Sequence, residues 1–274
     1  MSKDAVRRFW TEHPLGSYES AHKVGSPEFF RDVDRIRADA SRFAIHLYEF
    51  DASRGRHVLD VGCGSGWNTS QYAKYGAQVV GVDLSQWSAQ LTTANLRGRS
   101  LTGHTASGDT EALPLRDESF DFVCCDGVLH HTAGTEAGLS EIRRVLRPGG
   151  RALISLYYEN VLLRRPWFSM VKVIMAILRV RMHGSPAVGL RTRRADFVRW
   201  YDGADNPLGK IYSQSDANRI VETAGFKVLV QETHYFPLRF MPIRWLIPIA
   251  LYRVLDRWFG TLTFIVAQRP SGRT

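Results

Sequence analysis

Residues 57–66 read HVLDVGCGSG, a short apolar run that leads directly into three alternating glycines. The apolar run predicts a buried β-strand, and Gly62, Gly64 and Gly66 predict a sharp turn into a following helix. Glycine suits this position because the backbone must approach a ligand with no side chain between them. The N–H groups at the start of the helix favour a carboxylate or a phosphate as that ligand.

Two residues beside this turn narrow the choice of ligand. Trp67 occupies the position where a pyrophosphate-binding G-x-G-x-x-G turn needs its last glycine, so its bulk argues against a dinucleotide. Asp60, at the carboxyl end of the predicted strand, supplies a negative charge that favours a cationic group and disfavours a phosphate. Together they predict a zwitterionic ligand that carries both an ammonium and a carboxylate.

Acidic residues also follow the next two predicted strands. Asp83, in GVDLS, comes about 20 residues after the glycines, where a carboxylate can accept hydrogen bonds from two ribose hydroxyls. Asp109 follows the third predicted strand, where it can accept from an adenine amino group. Three acids at the carboxyl ends of successive strands predict a site for a nucleoside with an amino-acid tail.

The rest of the chain repeats the strand–helix alternation. Strands are predicted at 57–61, 77–83, 103–107, 120–126, 151–158, 226–231 and 261–268, and helices at 28–50, 65–75, 86–96, 137–146 and 214–224. Strands rich in Val, Leu and Ile that alternate with helices indicate an α/β fold with a mostly parallel sheet, covered on both faces.

The composition of the 274 residues, 44% hydrophobic and 23% charged, is typical of a folded globular protein and excludes collagen-like, disordered and disulfide-rich classes. The three cysteines have no metal-ligand spacing, so we expect no zinc site built on them and predict no metal. The scarcity of cysteine, the absence of an apolar leader and the absence of a long apolar run predict a cytoplasmic protein.

The net charge of +9 comes entirely from residues 151–274. Within them, two basic and apolar insertions are predicted at about 159–212 and 234–260. Such segments can pack on the sheet or on a second subunit of a homodimer, line a pocket for a hydrophobic or acidic acceptor, or lie on an anionic membrane. In the first insertion Arg165, Lys172 and Arg179 recur every seven residues, which predicts one helix face. No nucleic-acid-binding motif is visible, so nucleic acid is not an expected partner.

Four stretches, VLDVGCGSG, GVDLS, GDTEALPLRDESFDFVCCDGVLHHT and EIRRVLRPGG, resemble the successive motifs of class I S-adenosylmethionine-dependent methyltransferases. The nearest likeness is to the branch with the ubiquinone/menaquinone-type and small-molecule enzymes, and it runs from about residue 55 to 157. The resemblance implies a Rossmann-like, doubly wound sheet of seven strands with the last strand antiparallel. We expect residues 1–50 to form a helical lid and residues 51–274 to form the methyltransferase domain.

The resemblance also implies which residues surround the cofactor, S-adenosylmethionine. Asp60, Gly62 and Gly64 would hold the methionine moiety, and Asp83 would bind the ribose. Asp109 with Thr110 would bind the adenine. The full set implied by the resemblance is Asp60, Gly62, Cys63, Gly64, Gly66, Asn68, Asp83, Leu84, Ser85, Asp109, Thr110, Glu111, Asp126, Gly127 and His130.

In this family the acceptor pocket lies beyond the fourth and fifth strands, so we searched there for residues that could assist methyl transfer. The transfer is an in-line displacement, and a general base helps only when the acceptor atom carries a proton. His131 is the candidate base, with a purely structural role as the alternative. Tyr158 and Tyr212 are candidates to face the acceptor, and Tyr18 and His22 are candidates for the lid.

The function predicted from sequence is therefore methyl transfer from S-adenosylmethionine to an O, S, N or C atom of a small molecule. One alternative is a lipid-like or quinone-like acceptor methylated at a membrane surface. Another is a non-catalytic module that binds the cofactor and serves as an interaction partner.

Overall fold

Seven strands form one sheet in the computed structural model, which describes residues 2–182, 185–238 and 244–272. The strands are β1 (His57–Val61), β2 (Gln78–Asp83), β3 (His104–Ser107), β4 (Phe120–Cys125), β5 (Leu146–Tyr157), β6 (Lys227–His234) and β7 (Leu262–Gln268). Their order is β3-β2-β1-β4-β5-β7-β6, and β7 runs antiparallel to both of its neighbours while the first five strands pair in parallel. The predicted α/β class and seven-stranded doubly wound sheet are confirmed.

Helices cover both faces of the sheet. The described helices are α1 (Lys3–Glu12), α2 (Pro27–Ala40), α3 (Trp67–Lys74), α4 (Gln86–Gly98), α5 (Thr135–Val145), α6 (Trp167–Ile177), α7 (Arg194–Arg199), α8 (Gln214–Thr223) and α9 (Ile249–Phe259). None of them is both long enough and apolar enough to cross a bilayer.

The core consists of two apolar layers, one on each face of the sheet, because successive strand residues point to opposite sides. Val58 and Cys124 belong to the layer that α2 and α3 cover, whereas Leu59 and Cys125 belong to the layer that α5 and α8 cover. Each fully buried aliphatic side chain contributes roughly 1.5–3 kcal/mol to folding. Burial on both faces explains why these strands are continuously apolar in sequence.

Helix α2 is shorter than the sequence predicts. The periodicity over 28–50 predicts one helix, but α2 ends at Ala40 and short 3₁₀ turns follow. Tyr48 and Phe50 lie in those turns and pack against Trp67 at ring-centroid distances of 6.1 and 5.8 Å. Tertiary packing of these aromatic residues therefore overrides the local helical pattern.

The prediction of one basic helix face in the first insertion is wrong. Of the three basic residues, only Lys172 lies inside α6. Arg165 lies before the helix, because Pro166 precedes the first helical residue and a proline disfavours the helical conformation in the residue before it. Arg179 lies beyond the end of the helix with φ +51°. The predicted second insertion, about 234–260, contains α9, and residues 239–243 of it lie outside the described residues.

Candidate functional site

A cavity opens at the carboxyl ends of β1, β2 and β4. The order of the strands in the sheet reverses at this point, between β1 and β4. Ligands of open α/β sheets bind at this kind of crevice because the loops on the two sides diverge. The turn after β1, the residues after β2 and the residues after β4 all line the cavity. Helix α1 closes part of it, with Val6 and Trp10 in the lining.

The glycines of the turn after β1 are required by close packing as well as by conformation. Gly62 has φ +70°, and a Cβ atom there would lie 2.2 Å from Cγ2 of Val128. Gly66 has φ +84°, and its Cβ would lie 2.9 Å from Cα of Thr92 in α4. Gly62 and Gly64 line the cavity, whereas Gly66 lies behind it and lets α4 support the turn.

Asp83 connects two of the cavity walls. Its carboxylate accepts hydrogen bonds from the N–H of Gly64 at 2.9 Å and from the N–H of Ser85 at 2.8 Å, and it lines the cavity. Burial raises the pKa of Asp83 to about 6, although both hydrogen bonds oppose this shift. Ser85 itself lies outside the cavity lining, where its side chain caps α4.

Asp60 lies just beneath the cavity and is fully buried. Its Oδ2 accepts a hydrogen bond from the Thr69 hydroxyl at 2.5 Å, but its Oδ1 has no partner in the structure. Burial raises the pKa of Asp60 to about 7. Asn68, which lines the cavity, also has an unpartnered Oδ1. Two unpaired acceptor atoms fit a ligand that brings a hydrogen-bond donor such as an ammonium group.

The far end of the cavity, after β3, carries acidic residues that pair with α1. Asp109, Thr110 and Glu111 line this end. The ammonium of Lys3 lies 2.6 Å from Asp109 and 2.8 Å from Glu111, and these hydrogen bonds raise the pKa of Lys3. Lys3 was missed by the sequence analysis because a lone lysine in a surface helix carries no distinguishing pattern.

Asp126, at the end of β4, forms the centre of a buried polar network. It forms an ion pair with Arg37 of α2, and it accepts hydrogen bonds from the hydroxyls of Tyr48 at 2.7 Å and Ser155 at 2.6 Å. Burial alone would raise the pKa of Asp126, but Arg37 and the two hydroxyls lower it below its ordinary value. The Arg37 guanidinium also lies 5.1 Å from the centroid of the Trp67 ring. Arg37 was also missed, since its helix gives no local sign of a distant carboxylate.

His131 lies at the acceptor end with both ring nitrogens engaged. Its Nδ1–H donates to the carbonyl of Leu208 at 2.5 Å, and its Nε2 lies 3.1 Å from Oδ2 of Asp202. The hydroxyl of Tyr157 also donates to Asp202. Burial would raise the pKa of Asp202, but His131 and Tyr157 lower it to about 2. Asp202 was missed because the chain between β5 and α8 shows no motif.

His130 stacks on Tyr157 with a ring-centroid distance of 3.8 Å and is almost entirely buried. Its Nδ1 has no hydrogen-bond partner among the residues that the structure describes. Burial lowers the pKa of His130 well below its ordinary value, so this ring is neutral at physiological pH. Together with His131, Asp202 and Tyr157, it lines the part of the cavity beyond β4 and β5.

The remaining predicted residues are distributed as follows. Cys63, Leu84 and Gly127 line the cavity. Four others, all outside the cavity lining, are Tyr18, His22, Tyr158 and Tyr212. Tyr18 stacks on His13, and the exposed His22 pairs with Asp32 at 3.0 Å. Tyr158 forms a backbone bridge with Tyr212, whose hydroxyl lies 2.9 Å from that of Thr135.

Comparison with known proteins bears on what this cavity binds. Residues 59–154 match the family model described as a methyltransferase domain. An O-methyltransferase of Penicillium expansum is 36% identical over 38% of this chain and 38% of its own length. A ubiquinone biosynthesis O-methyltransferase of Coxiella burnetii is 31% identical over 39% of this chain and 46% of its own length. These matches identify residues 59–154 as a methyltransferase domain of the class I S-adenosylmethionine-dependent kind.

Structural comparison agrees with this family at the level of the fold. Magnesium protoporphyrin IX methyltransferase of Synechocystis, solved with bound S-adenosylhomocysteine, superposes with a TM-score of 0.59 at 16% identity. The superposition covers 98% of this chain and 100% of that one. By contrast, the chain spans less than half the length of the two O-methyltransferases that it matches in sequence.

S-adenosylmethionine is the cofactor of this methyltransferase family, and the residues of the cavity fit it. The unpaired oxygens of Asp60 and Asn68 suit its ammonium group. The glycine turn provides space that a Cβ at Gly62 would fill, and Asp83 presents a carboxylate to the cavity. The acidic residues after β3 complete a set of acceptors along one wall of the cavity.

Proposed function

We propose that this protein transfers the methyl group of S-adenosylmethionine to a small-molecule acceptor. The observation that carries the proposal is that one cavity is lined both by the cofactor-type loops and by the His131–Asp202–Tyr157 cluster. When bound, the cofactor supplies an activated sulfonium methyl group. Methyl transfer then depends on how the protein places and desolvates the acceptor atom.

We assign the cofactor-binding roles along one wall of the cavity. Asp60 and Asn68 bind the amino-acid end, because their unpaired oxygens match its ammonium donor. Asp83 accepts from the ribose hydroxyls while it holds the turn through Gly64. Asp109, with Thr110 beside it, binds the adenine.

At the opposite end, His131 and Asp202 bind the nucleophilic atom of the acceptor. With Nδ1–H bound to Leu208, the neutral ring of His131 takes a proton from the acceptor on Nε2, and Asp202, 3.1 Å away, stabilises the charged ring that results. Tyr157 acts as a positioning residue, since its hydroxyl holds Asp202 in place. Trp10 covers the His131 ring at 5.2 Å, and we propose that the N-terminal segment 1–50 excludes water from this site.

The nature of the acceptor is supported by the relatives. Two of them are O-methyltransferases by name, which favours an oxygen acceptor. A hydroxyl must lose its proton on methylation, and that requirement suits the polar cluster at the acceptor end. We further propose that the protein acts in the cytoplasm.

The proposal is tested by calorimetry with S-adenosylhomocysteine and by a screen for methyl transfer to phenols, thiols, carboxylic acids and quinone precursors. We expect His131→Ala to lower kcat by about 100-fold or more, as for loss of a general base, with little change in affinity for S-adenosylhomocysteine. His22→Ala is the matched control, because His22 also pairs with an aspartate but lies outside the cavity. Failure of the wild-type protein to bind S-adenosylhomocysteine would contradict the proposal.

A lipid-like or quinone-like acceptor at a membrane is the second candidate. It is favoured by the exposed apolar side chains of α9, among them Leu251, Val254 and Trp258, beside Arg253 and Arg257. The same screen decides between the two candidates when the acceptors are offered free and in vesicles.

A further inference from the structure

Three side chains at the acceptor end lie close enough together to hold a metal ion. His130, His131 and Asp202 each offer one ligand atom, and these atoms lie within 4.8 Å of one another. The two histidines come from the turn Leu129–His131 after β4, and Asp202 comes from the chain after α7. The backbone N–H of Lys210 donates to the carbonyl of His130 at 2.9 Å and ties these two segments together.

Both histidines are oriented as metal ligands usually are. Nδ1–H of His131 donates to the carbonyl of Leu208, so Nε2 is the nitrogen that faces Asp202 and that would bind a metal ion in place of a proton. The ring of His130 interacts with the backbone carbonyl of Ser155, and Nδ1 is the ring nitrogen that has no hydrogen-bond partner among the described residues. Histidines that bind metals typically donate their second ring N–H to a backbone carbonyl in this way.

The unpartnered Nδ1 of His130 needs an explanation that hydrogen bonding within the protein does not provide. The ring is 1% exposed, and buried polar atoms of this kind almost always have a partner. His130 lines a cavity that is also lined by the carboxylate of Asp202 and the imidazole of His131, and one ligand atom of each residue lies within 4.8 Å of the others. A cation is a group that all three can bind at once.

We propose that His130 Nδ1, His131 Nε2 and an Asp202 carboxylate oxygen bind one divalent transition-metal ion such as Zn²⁺ or Fe²⁺. Two imidazoles with one carboxylate suit these ions, whereas Mg²⁺ and Ca²⁺ prefer oxygen ligands. Ligands about 2.0–2.2 Å from a common ion, at angles of about 90–110°, lie about 3–3.5 Å apart. The 3.1 Å between His131 Nε2 and Asp202 Oδ2 matches this spacing.

The site deepens the proposed function and rests on it only for its chemical role. A cation at this position binds the hydroxyl oxygen of the acceptor and lowers the pKa of that hydroxyl. The proton would be released to solvent as the acceptor binds, before the N-terminal segment excludes water, and His131 would serve as a ligand instead of taking the proton itself. The proposal departs from the prediction of no metal made from the sequence, which was based on the spacing of the cysteines, and this cluster contains none of them.

The test uses the full chain, stripped of metal with a chelator and titrated with Co²⁺, whose visible absorption reports its ligands, and then with Zn²⁺ in competition. We expect one equivalent of Co²⁺ per chain, displaced by Zn²⁺ and unaffected by excess Mg²⁺. His130→Ala and Asp202→Asn should each weaken binding by more than about 100-fold, since even the loss of an outer hydrogen-bond partner costs 10–100-fold. His22→Ala should bind Co²⁺ as the wild type does, because the His22–Asp32 pair lies outside the cavity.

Two results would overturn the metal site: no saturable Co²⁺ or Zn²⁺ binding by the wild type, or equal binding by His130→Ala. Circular dichroism and calorimetry with S-adenosylhomocysteine on the same samples show which variants are folded. If one variant fails to fold, the other carries the comparison. Retained methyl transfer in a metal-free protein would contradict the role of the cation in the reaction and leave the proposed function standing. Loss of S-adenosylhomocysteine binding in the wild type would instead contradict the proposed function.

Discussion

At the scale of single residues, the cofactor end of the cavity depends on carboxylates that are buried and yet only partly paired. The two carboxylate oxygens of Asp83 accept hydrogen bonds from the backbone N–H groups of Gly64 and Ser85. Asp83 therefore fixes the shape of two loops while it still faces the cavity. Asp60 keeps one oxygen without a partner. Burial makes the ionised form of both carboxyl groups unfavourable until a hydrogen-bond donor of a ligand reaches them.

Asp83→Ala should weaken binding of S-adenosylhomocysteine by roughly 5–150-fold, which corresponds to about 1–3 kcal/mol for charge-assisted hydrogen bonds. Titration calorimetry measures the change directly. Asp51→Ala is the control, because Asp51 is an exposed acid outside the cavity. An unchanged affinity in Asp83→Ala would mean that the ribose lies elsewhere.

Asp60 makes the ligand-free protein less stable as the pH rises. Its folded pKa of about 7 exceeds the ordinary value of about 3.9, so between these pH values the folded state binds more protons than the unfolded state. The free energy of unfolding therefore falls between about pH 4 and pH 7, by at most roughly 4 kcal/mol from this group. Asp126 and Arg37 also act on Asp60, in opposite directions.

Asp60→Asn should remove that part of the fall, because the amide carries no charge and can still accept from Thr69. Urea unfolding of both proteins at pH 5 and pH 8, without cofactor, gives the comparison. We expect the stability difference, variant minus wild type, to grow as the pH rises. A constant difference would show that Asp60 does not change its charge over this range.

At the scale of elements, α9 is held to the sheet through one buried carboxylate. Asp256 accepts hydrogen bonds from the N–H groups of Tyr235 and Phe236 at 2.7 and 2.9 Å, and it lies 2.7 Å from Nδ1 of His234. Glu232 lies 2.9 Å from the other ring nitrogen of His234, and His46 also faces Glu232. Burial opposes the charged form of His234, but Asp256 and Glu232 outweigh it and raise the pKa of His234.

Because the folded pKa of His234 is raised, the stability from its charged form is fully present below about pH 6.5 and is lost as the pH rises through the folded pKa. His234→Gln should flatten the loss of stability as the pH rises above about 6.5. Thermal unfolding at several pH values measures this. His104→Gln, an exposed histidine in β3, is the control. If His234→Gln and the wild type lose stability in parallel, the ion pairs of His234 do not hold α9.

Sequence predicted the strands and the cofactor-type loops well, because each of these residues follows a strand within a few positions. Gly62 and Asp83 are therefore placed by the sheet itself. Asp202 and Arg37 could not be predicted, since their positions depend on how long connections fold back over the sheet. Nothing local in the sequence shows that Arg37 pairs with Asp126 across 89 positions.

At the scale of the whole molecule, apolar side chains are exposed on one helix of the basic half. In α9, Tyr252 and Asp256 are turned inward, while Leu251, Val254 and Trp258 are exposed, the last to 67%. Contiguous exposed apolar residues beside arginines are typical of surfaces that bind anionic membranes. Among the described residues no other segment covers this face.

We predict that the protein binds vesicles that contain anionic lipid and binds neutral vesicles several-fold less, since apolar insertion and charge act together. Cosedimentation measures the bound fraction, and 0.5 M salt should lower it by screening. Trp258→Ser should reduce binding, whereas Trp87→Ser, on α4, should not. Equal binding to both kinds of vesicle, or a dimer in solution that covers α9, would contradict this prediction.

The acceptor end of the cavity combines His130 and His131, which follow β4, with Asp202 from a separate part of the chain. Gly62, Asp83 and Asp109 lie within or close to the first four strands, whereas Asp202 belongs to the connection between β5 and α8. Grafting that connection, residues 158–213, from one homologue onto another would create chimeras that inherit a new choice of acceptor with the nucleoside half intact. Such an exchange can change the choice of acceptor with little disturbance of the fold, because a single contiguous stretch is replaced and the sheet is left unchanged.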